Sequence, residues 1–300
     1  IISNPPFGIP WKREEKEVRD EFKKGTAGRF APGLPAKGDG QLLFMLNGLA
    51  KLKDDGQMAI IQNGSSLFNG DAGSGPSEIR RYLIENDWLD AVVQLPNNAF
   101  YNTGIATYIW IVMKNKPVTH QGKVQLIDAS ACCSARRKNI GSKNVDITKV
   151  DRDLIIEAYG AYVDGIYNGV DENDKAIIVK SKVIDAIDFG YNKIVVETPK
   201  LDEDGNIVMK KMKPVADKSK RDTENVPLTE DIDVYFEREV IPYNSQAWID
   251  KSKTKVGYEI PFTRTFYEYK QIEPSDVIAA RIEEHEKSLM AKLHDLFGGK

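Results

Sequence analysis

An α/β fold with a mainly parallel sheet and helices on both faces is predicted from three observations. Short continuous apolar runs at 58–61, 89–95 and 105–113 suit strands covered on both sides. Stretches of helical character at 41–52 and 77–85 precede the first two pairings, the alternation from which parallel sheets are built. The runs at 89–95 and 105–113 follow each other with no room for a helix, which allows an antiparallel edge.

Taken in order, Ile1-Ile2-Ser3 reads as the last residues of a buried strand, so the chain is expected to be part of a longer one. Residues 12–24 are charged, with Val18 and Phe22 four apart, predicting a solvated helix with one thin apolar stripe. Residues 25–40 are crowded with Gly, Pro, Ala and Lys and form a surface loop. From Gln41, the residues Leu42, Leu43, Leu46, Leu49, Ala50 and Leu52 recur at helical spacing until Asp54-Asp55-Gly56 stops them. Ser77 is the expected N-cap of the next helix. Beyond Lys114 the pattern weakens. A strand at 124–127, a basic loop at 134–143 and a helix at 149–162 are expected, then strands at 176–179 and 193–196. Asp202-Glu203-Asp204-Gly205-Asn206 is a turn between Val195-Val196 and Ile207-Val208.

The composition excludes several classes of protein. Among 300 residues, 42 are Lys or Arg and 45 Asp or Glu, for a net charge of -3, and 41% are hydrophobic. That is too apolar for a disordered chain. The longest apolar stretch, 103–113, is about half of the ~20 residues that a membrane-spanning helix needs. Adjacent Cys132 and Cys133 suit neither a disulfide framework nor a tetrahedral metal site, which fits a reducing, cytoplasmic setting. A slightly acidic chain does not coat nucleic acid by itself, so a nucleic-acid role must be local or shared with a partner.

Asn4-Pro5-Pro6-Phe7 follows a strand, and open α/β sheets place ligands at the carboxyl ends of their strands. A rigid turn would use the same residues, because Pro fixes φ and extends its predecessor. The chemical reading is sharper. An exocyclic amine on an aromatic ring is a poor nucleophile until its hydrogens are held by acceptors. The side-chain carbonyl of Asn4 and the backbone carbonyl of Pro5, stiffened by Pro6, supply two. Phe7 offers a flat face for a base removed from its stack. Catalysis would come from aligning the amine with an electrophilic methyl, without a covalent nucleophile.

Asn4-Pro5-Pro6-Phe7 resembles the catalytic motif of S-adenosylmethionine-dependent amino-methyltransferases. Further stretches resemble the modification subunit of type I restriction-modification systems: Lys37-Gly38-Asp39-Gly40, Asn63-Gly64 with Leu67-Phe68, Ile79-Arg80-Arg81-Tyr82-Leu83, Val93-Gln94-Leu95-Pro96-Asn97, and the block from Val256 to Thr263. Where this chain has Gln62, members commonly have Pro. The resemblance implies the C-terminal half of a Rossmann-like methyltransferase sheet at 1–130. It implies a smaller α+β extension at 131–272, polar and Lys-rich near 198–225. Residues 273–300 would be an amphipathic helix that pairs with a partner.

The implied activity is N6-methylation of a flipped adenine in double-stranded DNA, in complex with a specificity subunit and a restriction subunit. The implied methyl donor is S-adenosylmethionine. Asn4 would touch this cofactor as well as substrate, Pro5 and Phe7 would hold substrate, and the glycine-rich cofactor loop is expected upstream of Ile1. The isolated 300 residues are therefore expected to be inactive. The same tetrapeptide also serves cytosine N4 or a protein glutamine amide, and a non-catalytic assembly module is the alternative of a different class.

Other candidates are weaker. Gly70-Asp71-Ala72-Gly73-Ser74-Gly75 lacks the spacing of a nucleotide fingerprint and is read as a plain loop, not a permuted cofactor site. Arg29 and Lys37, in the loop after the motif, are candidates for DNA phosphate contact, and solvated loop cations are the ordinary alternative. The same choice applies to Arg136-Arg137-Lys138. His120, His285 and His294 are read as solvated and no metal site is expected, while Tyr108 and Trp110 belong to the core.

Overall fold

The computed structural model describes residues 1–171, 174–269 and 273–297, for residue 295 the backbone only; residues 298–300 of the expected terminal segment lie outside it. The chain divides into two compact units, Ile1–Thr265 and Phe266–Lys300.

The first unit opens with β1 (Ile2–Ser3) and α1 (Glu15–Lys23), on which Val18 is buried while Phe22 is 39% exposed. There follow α2 (Gln41–Lys51), β2 (Gln57–Asn63), the single turn α3 (Ser65–Phe68), α4 (Gly75–Glu85), β3 (Leu89–Leu95) and β4 (Thr107–Met113). The start of α4 differs from expectation. Pro76 occupies its first turn and Ser74 stands at the cap position. Ser77 lies inside the helix, where its Oγ accepts the Tyr258 N–H at 2.9 Å.

Next come β5 (Lys123–Asp128), β6 (Ser134–Ile140), β7 (Lys143–Asp146), α5 (Lys149–Ala161), β8 (Gly165–Val170) and β9 (Ala176–Asp185). The basic stretch expected as a loop is thus a β-hairpin. Its strands pair with each other and join no larger sheet, so neither carries the alternating apolar residues that mark a half-buried strand. α5 begins at a reciprocal cap: Thr148 Oγ1 accepts the Asp151 N–H while the Asp151 carboxylate accepts the Thr148 N–H at 2.7 Å.

The main sheet runs β1-β2-β4-β3-β5-β9-β8. β1 is parallel to β2 and β3 to β5, whereas β4 lies antiparallel between β2 and β3, and β9 is antiparallel to both β5 and β8. Alternation along each strand assigns the two faces. Met58 and Ile60 of β2 point with Trp110 and Val112 of β4 towards α2, where Gly48 leaves room for the Met58 sulfur. On the other face Val93, Leu95, Ile127, Ile177 and Val179 form a core with Leu154 and Ala158 of α5. Helices therefore cover both faces, as expected.

A second sheet is centred on β10 (Gly190–Glu197). After the short hairpin β11 (Met209–Lys210) and β12 (Lys213–Pro214) come β13 (Asp222–Pro227), α6 (Ile232–Glu239), β14 (Trp248–Ile249), β15 (Lys255–Tyr258) and the single turn α7 (Phe262–Thr265). β13, β14 and β15 all pair antiparallel with β10, and Ile194, Val196, Val226, Phe236 and Val240 close the core under α6. The turn at 202–206 forms where expected, with Asp202 N–H donating to Asn206 O at 2.9 Å, but it joins Leu201 to Ile207; Val195 pairs instead with Thr223.

Arg80 joins the two sheets. It is fully buried on α4; its Nε donates to Tyr258 O at 2.6 Å and its Nη1 to Ser66 O and Asn69 O at 3.1 and 3.0 Å. Burial lowers its pKa to about 10, which leaves it charged at neutral pH. Two stretches that the resemblance picked out separately, at 79–83 and 256–263, are thus one packed joint.

The second unit contains the helix α8 (Ser275–Phe297), with Ile282, Leu289, Leu293 and Leu296 exposed on it. No helix among the described residues is long and apolar enough to cross a membrane.

Candidate active site

Because β1, β2, β3 and β5 share one direction, their carboxyl ends line one edge of the sheet. Ser3 pairs with Ile60, so the chain leaves β1 alongside the last residues of β2. Asn4 is exposed, Pro5 buried, Pro6 exposed and Phe7 partly buried. This is the pattern of a motif anchored by one proline while its asparagine faces outward. The following residues are pinned. Gly8 turns the chain at φ 64°, Gly40 N–H donates to Ile9 O at 2.9 Å, and buried Trp11 donates through its backbone N–H to Lys37 O (3.1 Å) and through Nε1 to Ala36 O (2.9 Å). The loop at 36–40 is thereby fixed beside the motif, and its Gly40 borders, with Ile9, Phe30 and Leu43, an open cleft of about 810 Å³ whose lining does not include residues 4–7.

A polar network ties this loop to the exit of β2. Gln41, 1% exposed at the start of α2, places Nε2 2.8 Å from both Asp39 Oδ2 and Asn63 Oδ1, and its Oε1 accepts the Asn63 N–H at 3.0 Å. Ser65 Oγ reaches Asp39 Oδ2 at 2.9 Å and Asn63 Oδ1 at 2.6 Å. Sequence reasoning saw Asp39 and Asn63 only as parts of separate stretches. Nothing in residue spacing shows that Gln41 bridges them.

Gln62, where members of the resembling family commonly have Pro, is fully buried one residue earlier. Its Nε2 makes a long 3.4 Å bond to Gln41 O and its Oε1 has no partner.

Of the sequence-derived phosphate candidates, Arg29 lies against Glu21 (3.3 Å) and Asn47 (2.9 Å), and Lys37 against Glu15 (2.6 Å). Hydrogen bonding from Lys37, then Arg19, lowers the pKa of half-buried Glu15. The charge of both cations is thus partly neutralised within the chain.

The glycine-rich turn at 70–75 holds no cradle for a cofactor. A Cβ on Gly75 would lie 1.8 Å from Leu34 O and one on Gly70 2.5 Å from Ser74 Oγ, so the chain itself fills the space that the glycines open.

At the opposite edge, Asp90 is fully buried at the start of β3. It accepts from Tyr159 OH at 2.7 Å and lies 2.9 Å from His120 Nδ1, and the His120 ring stacks on Tyr162 at 3.4 Å. Burial, and then Asp90, raise the pKa of Tyr159 and Tyr162. His120 is therefore not a solvated histidine as the sequence suggested. Its partner lies 30 residues away, and metal-ligand spacing rules do not address such a pair.

The chain is similar to several known proteins. The family model described as N-6 DNA Methylase matches residues 1–201. The type I restriction enzyme MpnII methylase subunit of Mycoplasma pneumoniae is 33% identical over 150 residues, covering 49% of this chain and 26% of that protein. The HindI methylase subunit of Haemophilus influenzae is 32% identical over 129 residues, covering 43% and 27%. A crystal structure of the type I restriction-modification system methyltransferase subunit from Streptococcus thermophilus overlays with a TM-score of 0.48 at 27% identity, over 62% of this chain and 34% of that one. The chain spans about a quarter of the length of the curated relatives it matches.

Proposed function

The chain belongs to the N-6 DNA methylase family, and from that premise we propose that the whole protein methylates the N6 amine of adenine in double-stranded DNA. Asn4 Oδ1 and the Pro5 carbonyl hold the two amine hydrogens and turn the nitrogen lone pair towards the methyl donor, and Phe7 supports the flipped ring. The observation that carries this reading is the exposure of Asn4, free of hydrogen bonds to any described residue, at the carboxyl end of a parallel strand.

S-adenosylmethionine is the donor of this reading and would supply an electrophilic methyl group when bound. The glycine-rich turn at 70–75 is filled by the chain itself and offers no cradle for it, and Asn4 is the contact proposed for it. We accordingly expect these 300 residues alone to be inactive. By analogy with the type I methylase subunits, the protein would act in the cytoplasm with a specificity subunit that reads the DNA sequence and a restriction subunit that cleaves. The exposed apolar residues of α8 suit pairing with a partner helix.

Product analysis tests the assignment. The whole protein with its partners, supplied with unmethylated plasmid DNA and labelled S-adenosylmethionine, is expected to form N6-methyladenine. Label in N4-methylcytosine or in protein glutamine would replace the acceptor, and no transfer or donor binding at all would favour an assembly module.

A further inference from the structure

The β6–β7 hairpin is the most basic element at the active edge. Within 134–146, Arg136, Arg137, Lys138 and Lys143 face a single acid, Asp146, for a net charge of +3 in a chain of net charge -3. Its pairing is interrupted. Ala135 pairs with Val145 and Ile140 with Lys143, so four residues, Arg136 to Asn139, stand opposite Asn144 alone. Such a bulge lifts side chains out of the ladder and re-aims them. Arg136 folds back, donating through Nε to Lys138 O at 3.1 Å and pairing with Asp146. Arg137 and Lys138 are exposed and have no acidic partner among the described residues.

The hairpin is held in place. Ser134 Oγ donates to Asp171 at 3.1 Å, and Asn144 N–H to Asn98 O at 3.3 Å. Gly141, at φ 57°, packs so closely on the 101–102 turn that a Cβ would lie 2.4 Å from Asn102 Oδ1 and 2.9 Å from the Tyr101 ring. Tyr101 itself is 64% exposed beside it. This loop leaves β3 and the hairpin follows β5, so both stand on the edge that carries Asn4. Between β1 and β5 lie four strand spacings, about 19 Å. Along B-DNA that distance is about half a helical turn.

We propose that the β6–β7 hairpin is a backbone clamp: Arg137 and Lys138 grip duplex phosphates about half a turn from the base presented to Asn4, with Tyr101 against the adjoining sugar. The assignment rests on the DNA methyltransferase reading. It goes beyond that reading by naming the surface that holds the duplex and by replacing Arg29 and Lys37, which are occupied by Glu21 and Glu15. The contact is to phosphate and carries no sequence information.

The test is a salt titration of the whole protein with its partners on a fluorescent duplex of random sequence, comparing wild type with Arg137→Gln/Lys138→Gln. Each phosphate contact contributes about 0.9 to the slope of log K against log salt, so the double variant is expected to lower that slope by about 1.8. On unmethylated plasmid it should raise KM for DNA while kcat stays within about twofold. A control, Lys210→Gln/Lys213→Gln on the β11–β12 hairpin, removes equal charge from exposed sites elsewhere. An unchanged slope in the double variant, or an equal drop in the control, overturns the clamp while leaving the methyltransferase reading intact. A wild type that neither binds nor methylates DNA overturns both.

Discussion

The two edges of the main sheet are built on opposite plans. At the amino end of β3, Asp90 is sealed from water and bonded by Tyr159 and His120. At the carboxyl ends, Asn4 is exposed without a partner among the described residues, and the Asp39, Asn63 and Ser65 side chains are only half-buried around Gln41. A buried polar cluster with its bonds made is worth stability; polar groups left facing outward on a rigid frame are available to a ligand. The contrast separates polar side chains closed off within the sheet from those that face outward at its carboxyl ends, and an Asp belongs to each set.

The sharpest way to break this contrast is Asn4→Ala in the whole protein. Methyl transfer should fall about 10²- to 10³-fold or more, as when an oriented hydrogen-bonding group is removed from a polar site, with the melting temperature unchanged. A variant that melts early would show that Asn4 belongs to the frame. Asp90→Ala should do the reverse. Two half-buried partners lose the group they meet, so chemical denaturation should report a loss of about 2 kcal/mol, while DNA methylation per folded molecule stays at the wild-type level.

An intermediate effect is expected with pH. Burial, then Asp151, pushes the Cys132 thiol up to about 12, and burial, then Glu85, raises the Tyr258 hydroxyl to about 12. Groups whose pKa rises on folding favour the native state below their unfolded values, and that contribution is lost as pH climbs towards the folded ones. Melting temperature should therefore fall between about pH 9 and 12, and Cys132 should resist alkylation at pH 8 until the protein unfolds. The smallest effect belongs to Gln62→Met. It removes a buried carbonyl that has no partner for an apolar group of similar shape, so stability should change by less than about 1 kcal/mol, towards gain. A large loss would mean that the 3.4 Å bond to Gln41 O helps hold the active edge.

Most of the sheet was legible because its strands are short, continuous and apolar. The runs at 58–61 and 89–95 sit within β2 and β3, and the repeat from Leu42 to Leu49 gave α2. Local chemistry also placed the Asn4 motif at a strand exit. What escaped was whatever lacks a one-dimensional signature. A two-stranded ribbon exposed on both faces shows no alternation, so β6 and β7 read as loop. Gln41 reaches Asn63 across 22 positions, and Arg80 reaches Tyr258 across 178. Ser77 reads as a cap because a hydroxyl before a helical run signals one whichever group it meets, while Ser74 holds that position.

The joint made by Arg80 bears on how the molecule can be taken apart. The guanidinium Nε is answered by a carbonyl of β15 in the second sheet, so a chain ended at residue 201, where the family match stops, would lose that acceptor and keep only the Ser66 and Asn69 carbonyls. The portion matched by the family model thus draws part of its interior from residues some sixty positions beyond it.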